Sequence, residues 1–170
     1  MKPNPGDYAP YYDQYIKLLS DEDILKILED LMNSSEKFLK TISEEQGNYS
    51  YAEGKWTIKE VIGHIIDTER VMAYRALSFS RGETQSLPGF EQDDYIANGN
   101  CNDRTLDDLI GELKAVRTAN LIMFRSFSDE MLKRGGIASD NKITVLALIY
   151  IIAGHERHHI RILREKYLQK

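Results

Sequence analysis

The sequence has little of several residue types, and each shortage excludes a class of protein. Cys101 is the only cysteine in 170 residues, so the chain forms neither an internal disulfide nor a cysteine-rich zinc module, and any metal site must depend on histidine and carboxylate. One cysteine suits a reducing compartment, and we expect a cytoplasmic protein. There is no run of about 18 apolar residues and no apolar core of a secretory signal near the amino terminus, so we expect neither a membrane span nor a signal peptide.

Excess positive charge is also missing. The net charge is −5 at neutral pH, and the basic residues are not concentrated in one run, so nothing electrostatic indicates a nucleic-acid partner. We expect a small-molecule substrate instead. Hydrophobic residues make up 42% and charged residues 29% of the chain, as in ordinary globular proteins. The length suits one domain over residues 1–170 with a sizeable core.

Four amphipathic segments predict four long helices joined by connections without convincing strands. The second opens with a capping box, Thr57 and Glu60, and the fourth with Thr144 as N-cap. The predicted helices span residues 20–45, 57–80, 105–127 and 143–167. Residues 82–104 form the longest segment predicted as non-helical, which either covers a pocket or is a solvated crossover. This pattern predicts an all-α four-helix bundle, and such bundles build metal sites from facing helices.

The fourth predicted helix carries two histidines on its apolar side. One stripe of this helix, with spacings of one, three or four residues, contains Leu148, Ile152, His155, His159, Ile162 and Leu163. His155 and His159 are one helical turn apart, so both imidazoles can point at the same place. They are either hydrogen-bonded core residues or ligands of one metal ion. A shared metal satisfies both, because buried imidazoles without partners are unfavourable.

A third ligand must come from another element. His64 lies beside the apolar face of the second helix, where it is either a core residue or the match for the pair on the fourth helix. His158 is close enough to His155 to cooperate with it, but it lies in line with Gly154 and Arg161, on a side that we expect to turn toward solvent. We therefore predict His64, His155 and His159 as ligands and His158 as a surface or rim residue.

Carboxylates near these histidines have two interpretations. Asp67, three residues after His64, either accepts a hydrogen bond from a ligand histidine and so orients it, or is a solvated helix carboxylate. Glu156 lies between the two ligand histidines in sequence but outside their stripe on the helix. We therefore expect a surface charge, or at most a hydrogen-bond partner of a ligand histidine. The thiol of Cys101 is expected to be incidental, which leaves the chain without an obvious nucleophile of its own.

Two arginines and two tyrosines are further candidates for ligand binding. Arg75 and Arg81 can bind a carboxylate or phosphate of a cofactor near the pocket. Residues 1–19 are rich in tyrosine, and we call this amino-terminal segment the lead-in. Within it, Tyr11 and Tyr12 either pack on the surface of the domain or line the mouth of a pocket.

The chain resembles the DinB-like superfamily, in particular its YfiT-like metal-dependent hydrolases and bacillithiol S-transferase-like proteins. The resemblance covers nearly the whole chain and lies in KWTIKEVIGHIIDTERVMAYRALSFSRGE, LPGFEQDDY and GHERHHIRILREKYL. Its most specific parts are Trp56-Thr57 before the helix of His64 and the signature His155-Glu156-x-x-His159. It implies an up-down-down-up four-helix bundle with a pocket at one end, and a metal held by His64, His155 and His159.

The resemblance implies less about the reaction, because relatives include bacillithiol-using thiol S-transferases and mycothiol-dependent isomerases and transferases. The metal is a divalent ion, Zn²⁺, Ni²⁺, Mn²⁺ or Fe²⁺. It either binds a low-molecular-weight thiol as thiolate for S-transfer, which we prefer, or activates a bound water for hydrolysis. A third alternative is a non-enzymatic, metal-stabilised stress-response binding protein. Relatives commonly form homodimers, and we expect a homodimer here.

Overall fold

The computed structural model describes residues 2–168, so positions 1, 169 and 170 of the expected domain lie outside the described part. The chain is mostly helical, with one small hairpin. Its α-helices are α1 (Asp13–Ile16), α2 (Ile24–Leu39), α3 (Glu44–Gly47), α4 (Ile58–Ser80), α5 (Gln92–Asn98), α6 (Leu106–Arg125), α7 (Asp129–Lys133) and α8 (Val145–Ile162). Pro10–Tyr12 and Cys101–Asp103 are 3-10 turns, and Leu163–Tyr167 extends α8 as a π-helical turn. The strands are β1 (Gly135–Ala138) and β2 (Asn141–Thr144).

The four long helices α2, α4, α6 and α8 form the bundle, and α4 and α2 each pack against both α6 and α8. Ion pairs show that α2 and α6 are antiparallel. Glu29 pairs with Arg125, whereas Glu36, later in α2, pairs with Lys114, earlier in α6.

Polar contacts give the directions of the other two helices. Thr57 and Glu69 of the α4 segment contact Asn102 and Arg117 in the same chain order, so α4 and α6 are parallel. The Tyr167 hydroxyl donates to the carbonyl of Trp56, before α4, while His155, earlier in the last helix, meets His64 within α4. Hence α4 and α8 are antiparallel, and the predicted up-down-down-up four-helix bundle is confirmed.

Three of the four predicted long helices have nearly the expected boundaries. The side chains of Thr57, Thr105 and Thr144 each accept a backbone N–H of the first turn, which satisfies a donor that has no partner within the helix.

The first predicted helix was too long at both ends. Asp23, rather than Ser20, is the N-cap of α2, and the helix ends at Leu39. Ser43 then opens the separate helix α3 by a reciprocal capping box with Gln46. Such a box satisfies two backbone donors at once and starts a new helix where the periodicity alone suggested continuation.

The expectations for the two long connections need correction. Residues 82–104, predicted as non-helical, contain α5 and a 3-10 turn. The connection over residues 128–142 contains α7 and contributes to the β1–β2 hairpin, which the sequence did not indicate. Its two turn residues, Ser139 and Asp140, have φ of 49° and 60°, as a type I′ turn requires, although the usual Asn-Gly or Asp-Gly pair is absent.

The core consists of two apolar clusters, one toward each end of the bundle. Each long helix contributes to both clusters and passes from one to the other near a buried polar residue. These residues are Ser35 in α2, Glu69 in α4, Arg117 in α6 and Glu156 in α8. A buried polar layer therefore crosses the bundle, and the candidate site lies beside it. No helix within residues 2–168 is both long and apolar enough to cross a membrane.

Candidate metal centre

The structure brings the three predicted ligands together. The Nε2 atom of His155 lies 2.9 Å from Nε2 of His64 and 3.1 Å from Nε2 of His159. The ligand atoms of all three residues lie within 4.8 Å of one another. We call these residues the histidine cluster. His64 comes from the second turn of α4, and the other two come from the last turns of α8. These turns lie side by side because the two helices are antiparallel.

Aromatic rings hold the histidine cluster in place. The Trp56 ring lies 4.8 Å from that of His64, between ring centroids, and the Tyr15 ring lies edge-on to His155 at 5.4 Å. Tyr15 approaches so closely because Gly154 has no side chain: a Cβ there would be 2.3 Å from the Tyr15 carbonyl oxygen. We expected the side of α8 that contains Gly154 to face solvent, but Tyr15 of the lead-in packs against it.

Burial keeps the histidines neutral. It lowers the pKa of His64 to about 4, an effect that Asp93 opposes, and it lowers that of His159 to about 3 with help from the neighbouring histidines. The pKa of His155 falls well below its usual value, chiefly by burial and then by the rings of His159 and His64. Neutral imidazole is the form that binds a metal.

The donor set suits a divalent metal ion. Nitrogen ligands of one tetrahedral zinc ion, at bond lengths of about 2.0–2.1 Å, lie about 3.3 Å apart. The Nε2–Nε2 distances of 2.9 and 3.1 Å in the cluster are close to this spacing. Among residues 2–168 no cysteine or carboxylate joins the group. Three protein ligands leave a position for an exogenous one, which is the pattern of catalytic rather than structural zinc sites.

The two nearby carboxylates behave differently from each other. Asp67 is half-buried, and burial raises its pKa, but no hydrogen bond joins it to the three rings within the described chain. The expectation of a surface charge at Glu156 is wrong, because its side chain is 1% exposed. Arg117 of α6 donates to Glu156 at 2.6 Å and to Glu69 of α4 at 2.8 Å. These three residues form the arginine cluster.

The arginine cluster has a weak signature in the sequence. Arg117 and Glu156 lie in helices that carry other charged residues, so nothing in the sequence distinguishes them from surface charges. Their pairing also joins helices far apart in sequence. Only the fold shows that they meet.

Two cavities adjoin the histidines. The first, of about 290 Å³, we call the tyrosine cavity. It is lined by residues that include Tyr11, Tyr12, Tyr15, His64, His155 and Arg75. The second, of about 340 Å³, we call the tryptophan cavity. It is lined by residues that include Tyr51, Trp56, Val61, His159 and Tyr167.

Several candidate residues line these cavities. Tyr11 and Tyr12 line the tyrosine cavity, as one of their two interpretations required. Residues 82–104 also contribute, because Asp93 of α5 borders both cavities. His158 is half-buried beside Tyr15, with ring centroids 5.3 Å apart, as expected for a rim residue.

The two candidate arginines have different places. Arg75 is buried and lines the tyrosine cavity. Arg81 follows the last turn of α4, about 25 Å along the helix from His64 at 1.5 Å per residue, and lies over the Phe127 ring. The structure therefore separates Arg81 from the site and leaves Arg75 as the candidate.

The chain is similar to known proteins in both sequence and structure. The profile of the DinB superfamily matches residues 13–163. Two curated bacterial proteins, both named as putative metal-dependent hydrolases, are similar in sequence. The protein from Oceanobacillus iheyensis is 24% identical over 143 residues, covering 82% of each chain. YfiT from Bacillus subtilis is 23% identical over 160 residues, covering 91% of this chain and 87% of YfiT.

Solved structures share the fold. The structure of YfiT, described as an unusual four-helix bundle topology, superimposes with a TM-score of 0.76 at 18% identity, covering 97% of this chain and 90% of YfiT. A mycothiol-dependent maleylpyruvate isomerase superimposes with a TM-score of 0.66 at 15% identity, covering 85% of this chain and 61% of the isomerase.

Proposed function

The chain belongs to the DinB superfamily, and on that premise we propose that it is a metal-dependent thiol S-transferase. It joins a low-molecular-weight thiol, such as bacillithiol, to an electrophilic substrate at a divalent metal held by His64, His155 and His159. The metal is Zn²⁺, Ni²⁺, Mn²⁺ or Fe²⁺, since imidazole ligands suit all four.

The observation that carries this proposal is the pair of cavities at the histidine cluster. His64 and His155 line the tyrosine cavity, and His159 lines the tryptophan cavity. A transferase must bring two organic molecules to one centre, whereas a hydrolase needs room for one organic molecule and a water. Two cavities of about 290 and 340 Å³ are thus better suited to two substrates.

The chain supplies the ligands and the enclosure, and the bound ion supplies the activation. When bound, a divalent metal lowers the pKa of a coordinated thiol or water, and so provides a nucleophile at neutral pH. His155 is buried and His159 partly so, which keeps their lone pairs available. The rings of Trp56 and Tyr15 limit the access of bulk water to the cluster.

The only cysteine is a poor nucleophile. Cys101 is 6% exposed, and burial raises the pKa of its thiol. Its Sγ atom packs against the backbone of α4 at Gly63. The approach is so close that a Cβ at Gly63 would lie 2.3 Å from this sulfur. An external thiol is therefore the better nucleophile, and the fold shared with a mycothiol-dependent isomerase supports this choice.

Metal-dependent hydrolysis at the same three histidines is the second candidate, and the names of the two curated relatives favour it. A purely structural metal in a non-enzymatic protein is less well supported, because structural zinc sites have four protein ligands and three residues form the group here.

The test begins with elemental analysis of the purified wild type, of His155→Ala/His159→Ala and of His158→Ala. We expect one divalent metal per chain in the wild type and in His158→Ala, and none in the double variant. The control is matched because His158 is in the same helix turn but outside the cluster. No metal in the wild type after reconstitution with Zn²⁺, Ni²⁺ or Mn²⁺ contradicts the proposal.

The second step separates the two reactions. The metal-loaded protein is given electrophiles with bacillithiol, mycothiol or glutathione, and loss of free thiol is compared with product release in the absence of thiol. S-transfer predicts stoichiometric consumption of thiol. Product release that does not depend on thiol establishes hydrolysis instead.

Two expectations about the whole protein stay predictions. A homodimer is expected and is measurable by sedimentation equilibrium, and a cytoplasmic location is expected and is measurable by fractionation of cells.

A further inference from the structure

Arg75 is a buried cation that has no carboxylate partner in the described part of the chain. Its side chain is 2% exposed. Its Nη2 atom donates to the carbonyl of Pro88 at 2.7 Å and to Oγ of Ser139 at 2.9 Å, and its Nη1 contacts the sulfur of Met72 at 3.7 Å. These partners are all neutral. Burying a charge without a counter-ion is unfavourable, and burial accordingly lowers the pKa of this guanidinium.

The acidic residues near the cavity do not neutralise Arg75. Glu91 and Asp93 also line the tyrosine cavity, but among residues 2–168 no carboxylate acts on the Arg75 guanidinium. The titratable side chain that acts on Arg75 is Tyr12, through both an electrostatic and a hydrogen-bond interaction, and it is not a carboxylate. The buried positive charge is thus open to a partner from outside the chain.

Arg75 and the metal ligand His64 belong to one face of α4. His64, Thr68, Met72 and Arg75 follow at spacings of four, four and three residues, and all four line the tyrosine cavity. The Cα atoms of His64 and Arg75 are about 16 Å apart along the helix at 1.5 Å per residue. The Arg75 side chain leans toward the amino end of α4, so the gap between guanidinium and metal ligand is shorter than this.

A second polar group on this face, the Thr68 hydroxyl, is unpaired in the described residues. The Thr68 hydroxyl is buried and makes no hydrogen bond within the described chain. Its residue is 3% exposed and lies between His64 and Arg75. Buried polar atoms are nearly always paired, so a hydroxyl and a guanidinium that are incompletely paired in one cavity indicate a polar ligand that reaches both.

We propose that the tyrosine cavity binds an elongated organic anion, with a metal-binding head at the histidine cluster and a carboxylate or phosphate at Arg75. The Thr68 hydroxyl bonds to a polar atom in the middle of this molecule. The proposal rests on the metal site of the proposed function and adds the charge and length of one substrate. Arg75 is then a determinant of specificity, because a neutral substrate of equal length leaves its charge without a partner.

The test uses probes that carry both ends of the expected ligand. Hydroxamates bind divalent metals, so monohydroxamates of linear dicarboxylic acids are compared with alkyl hydroxamates of the same length by calorimetry on the zinc-loaded protein. We expect the terminal carboxylate to increase affinity about tenfold or more at one chain length, as a charged hydrogen-bonded pair provides. Matching phosphonate tails show which anion is preferred.

Substitution locates the effect. Arg75→Met is expected to remove the gain from the carboxylate without lowering the affinity for alkyl hydroxamates, which no longer leave a buried charge unpaired. Arg70→Met, on the outer side of the same helix where Arg70 pairs with Glu112, is expected to keep the gain. If Arg75→Met does not fold, the dependence on chain length in the wild type and the loss of affinity in Thr68→Val still test the proposal.

Two results overturn the proposal, and they differ from failure of the proposed function. Equal affinity for charged and neutral probes in the wild type at all lengths contradicts it, and so does a carboxylate gain that persists in Arg75→Met. Absence of binding by every hydroxamate contradicts the metal site itself, and both proposals then fall together.

Discussion

Two polar clusters are buried side by side in the same bundle, and they satisfy their polar groups in opposite ways. The arginine cluster is nearly complete within the chain. Arg117 donates Nε and Nη2 to the two carboxylate oxygens of Glu69, each at 2.8 Å, and Nη2 also to Glu156 at 2.6 Å. Its Nη1 donates to the carbonyl of Leu28.

The histidine cluster lacks that completeness. His155 is adjacent to Glu156 in sequence, yet within residues 2–168 its Nε2 atom contacts the Nε2 atoms of His64 and His159 rather than a carboxylate. Three converging imidazole nitrogens satisfy one another incompletely by hydrogen bonding and form a suitable ligand set for a cation. A buried cluster whose charged groups pair with one another stabilises and orients the helices that carry it. A buried cluster whose polar atoms lack such partners indicates a site for an external ion.

Removing the cation from the arginine cluster has the largest expected effect. Arg117→Met leaves the carboxylates of Glu69 and Glu156 buried without a counter-ion. We expect the free energy of unfolding, measured in urea, to fall by about 3–5 kcal/mol. The matched control is Arg125→Met, which breaks an exposed pair with Glu29 and is expected to cost less than about 1 kcal/mol. Equal effects of the two substitutions contradict the structural role of the cluster.

Replacing the whole arginine cluster sharpens the first prediction. Because the loss comes from unpaired charge rather than from the lost ion pair, Arg117→Met/Glu69→Leu/Glu156→Leu is expected to be more stable than Arg117→Met alone. A triple variant that is less stable than the single one shows instead that the pair itself stabilises the fold.

Metal binding is expected to act on the histidine cluster alone, and its expected effect is the next largest. An ion that binds only the folded state at about 100 times its dissociation constant raises the free energy of unfolding by about 2.7 kcal/mol. We expect this increase in the wild type and in His158→Ala, but not in His155→Ala/His159→Ala. Urea unfolding with zinc and with a chelator measures it. An equal increase in the double variant places the metal elsewhere.

Local periodicity in the sequence was sufficient to predict the helices of the bundle and the shared face of His155 and His159. Spacing along one helix predicted that His155 and His159 share a face, and the capping residues Thr57 and Thr144 located the ends of two helices. The direction of the helices, which brings His64 to the pair, came from the family resemblance and is confirmed by the fold.

What the sequence did not show depends on contacts between distant segments. Glu156 was expected at the surface because its position on α8 does not reveal that Arg117 packs against it. The hairpin was missed because its strands have four residues each and its turn, Ser139-Asp140, lacks the usual glycine. A pocket was expected, but its division into two cavities was not, since they are bounded by side chains from segments far apart in sequence.

The smallest effects concern the wall between the lead-in and α8. Gly154→Ala places a methyl group 2.3 Å from the Tyr15 carbonyl oxygen, so the lead-in must shift. We expect a loss of about 1–3 kcal/mol in the free energy of unfolding, as for other overpacked positions. Displacing Tyr15 from His155 should also make the first 16 residues more susceptible to limited proteolysis, while the three ligands and metal content stay unchanged.

Gly111→Ala on α6 is the matched control for that substitution, and its expected sign is opposite. Gly111 is exposed in the helix, and a Cβ there meets nothing within 4 Å. Alanine has less conformational freedom than glycine in the unfolded chain and so loses less entropy when the helix forms. The substitution should raise the free energy of unfolding by about 0.5–1 kcal/mol. If Gly154→Ala also stabilises the protein, helix propensity outweighs the contact with Tyr15. The lead-in is then loosely attached, and the tyrosine cavity has a movable wall beside the histidine cluster.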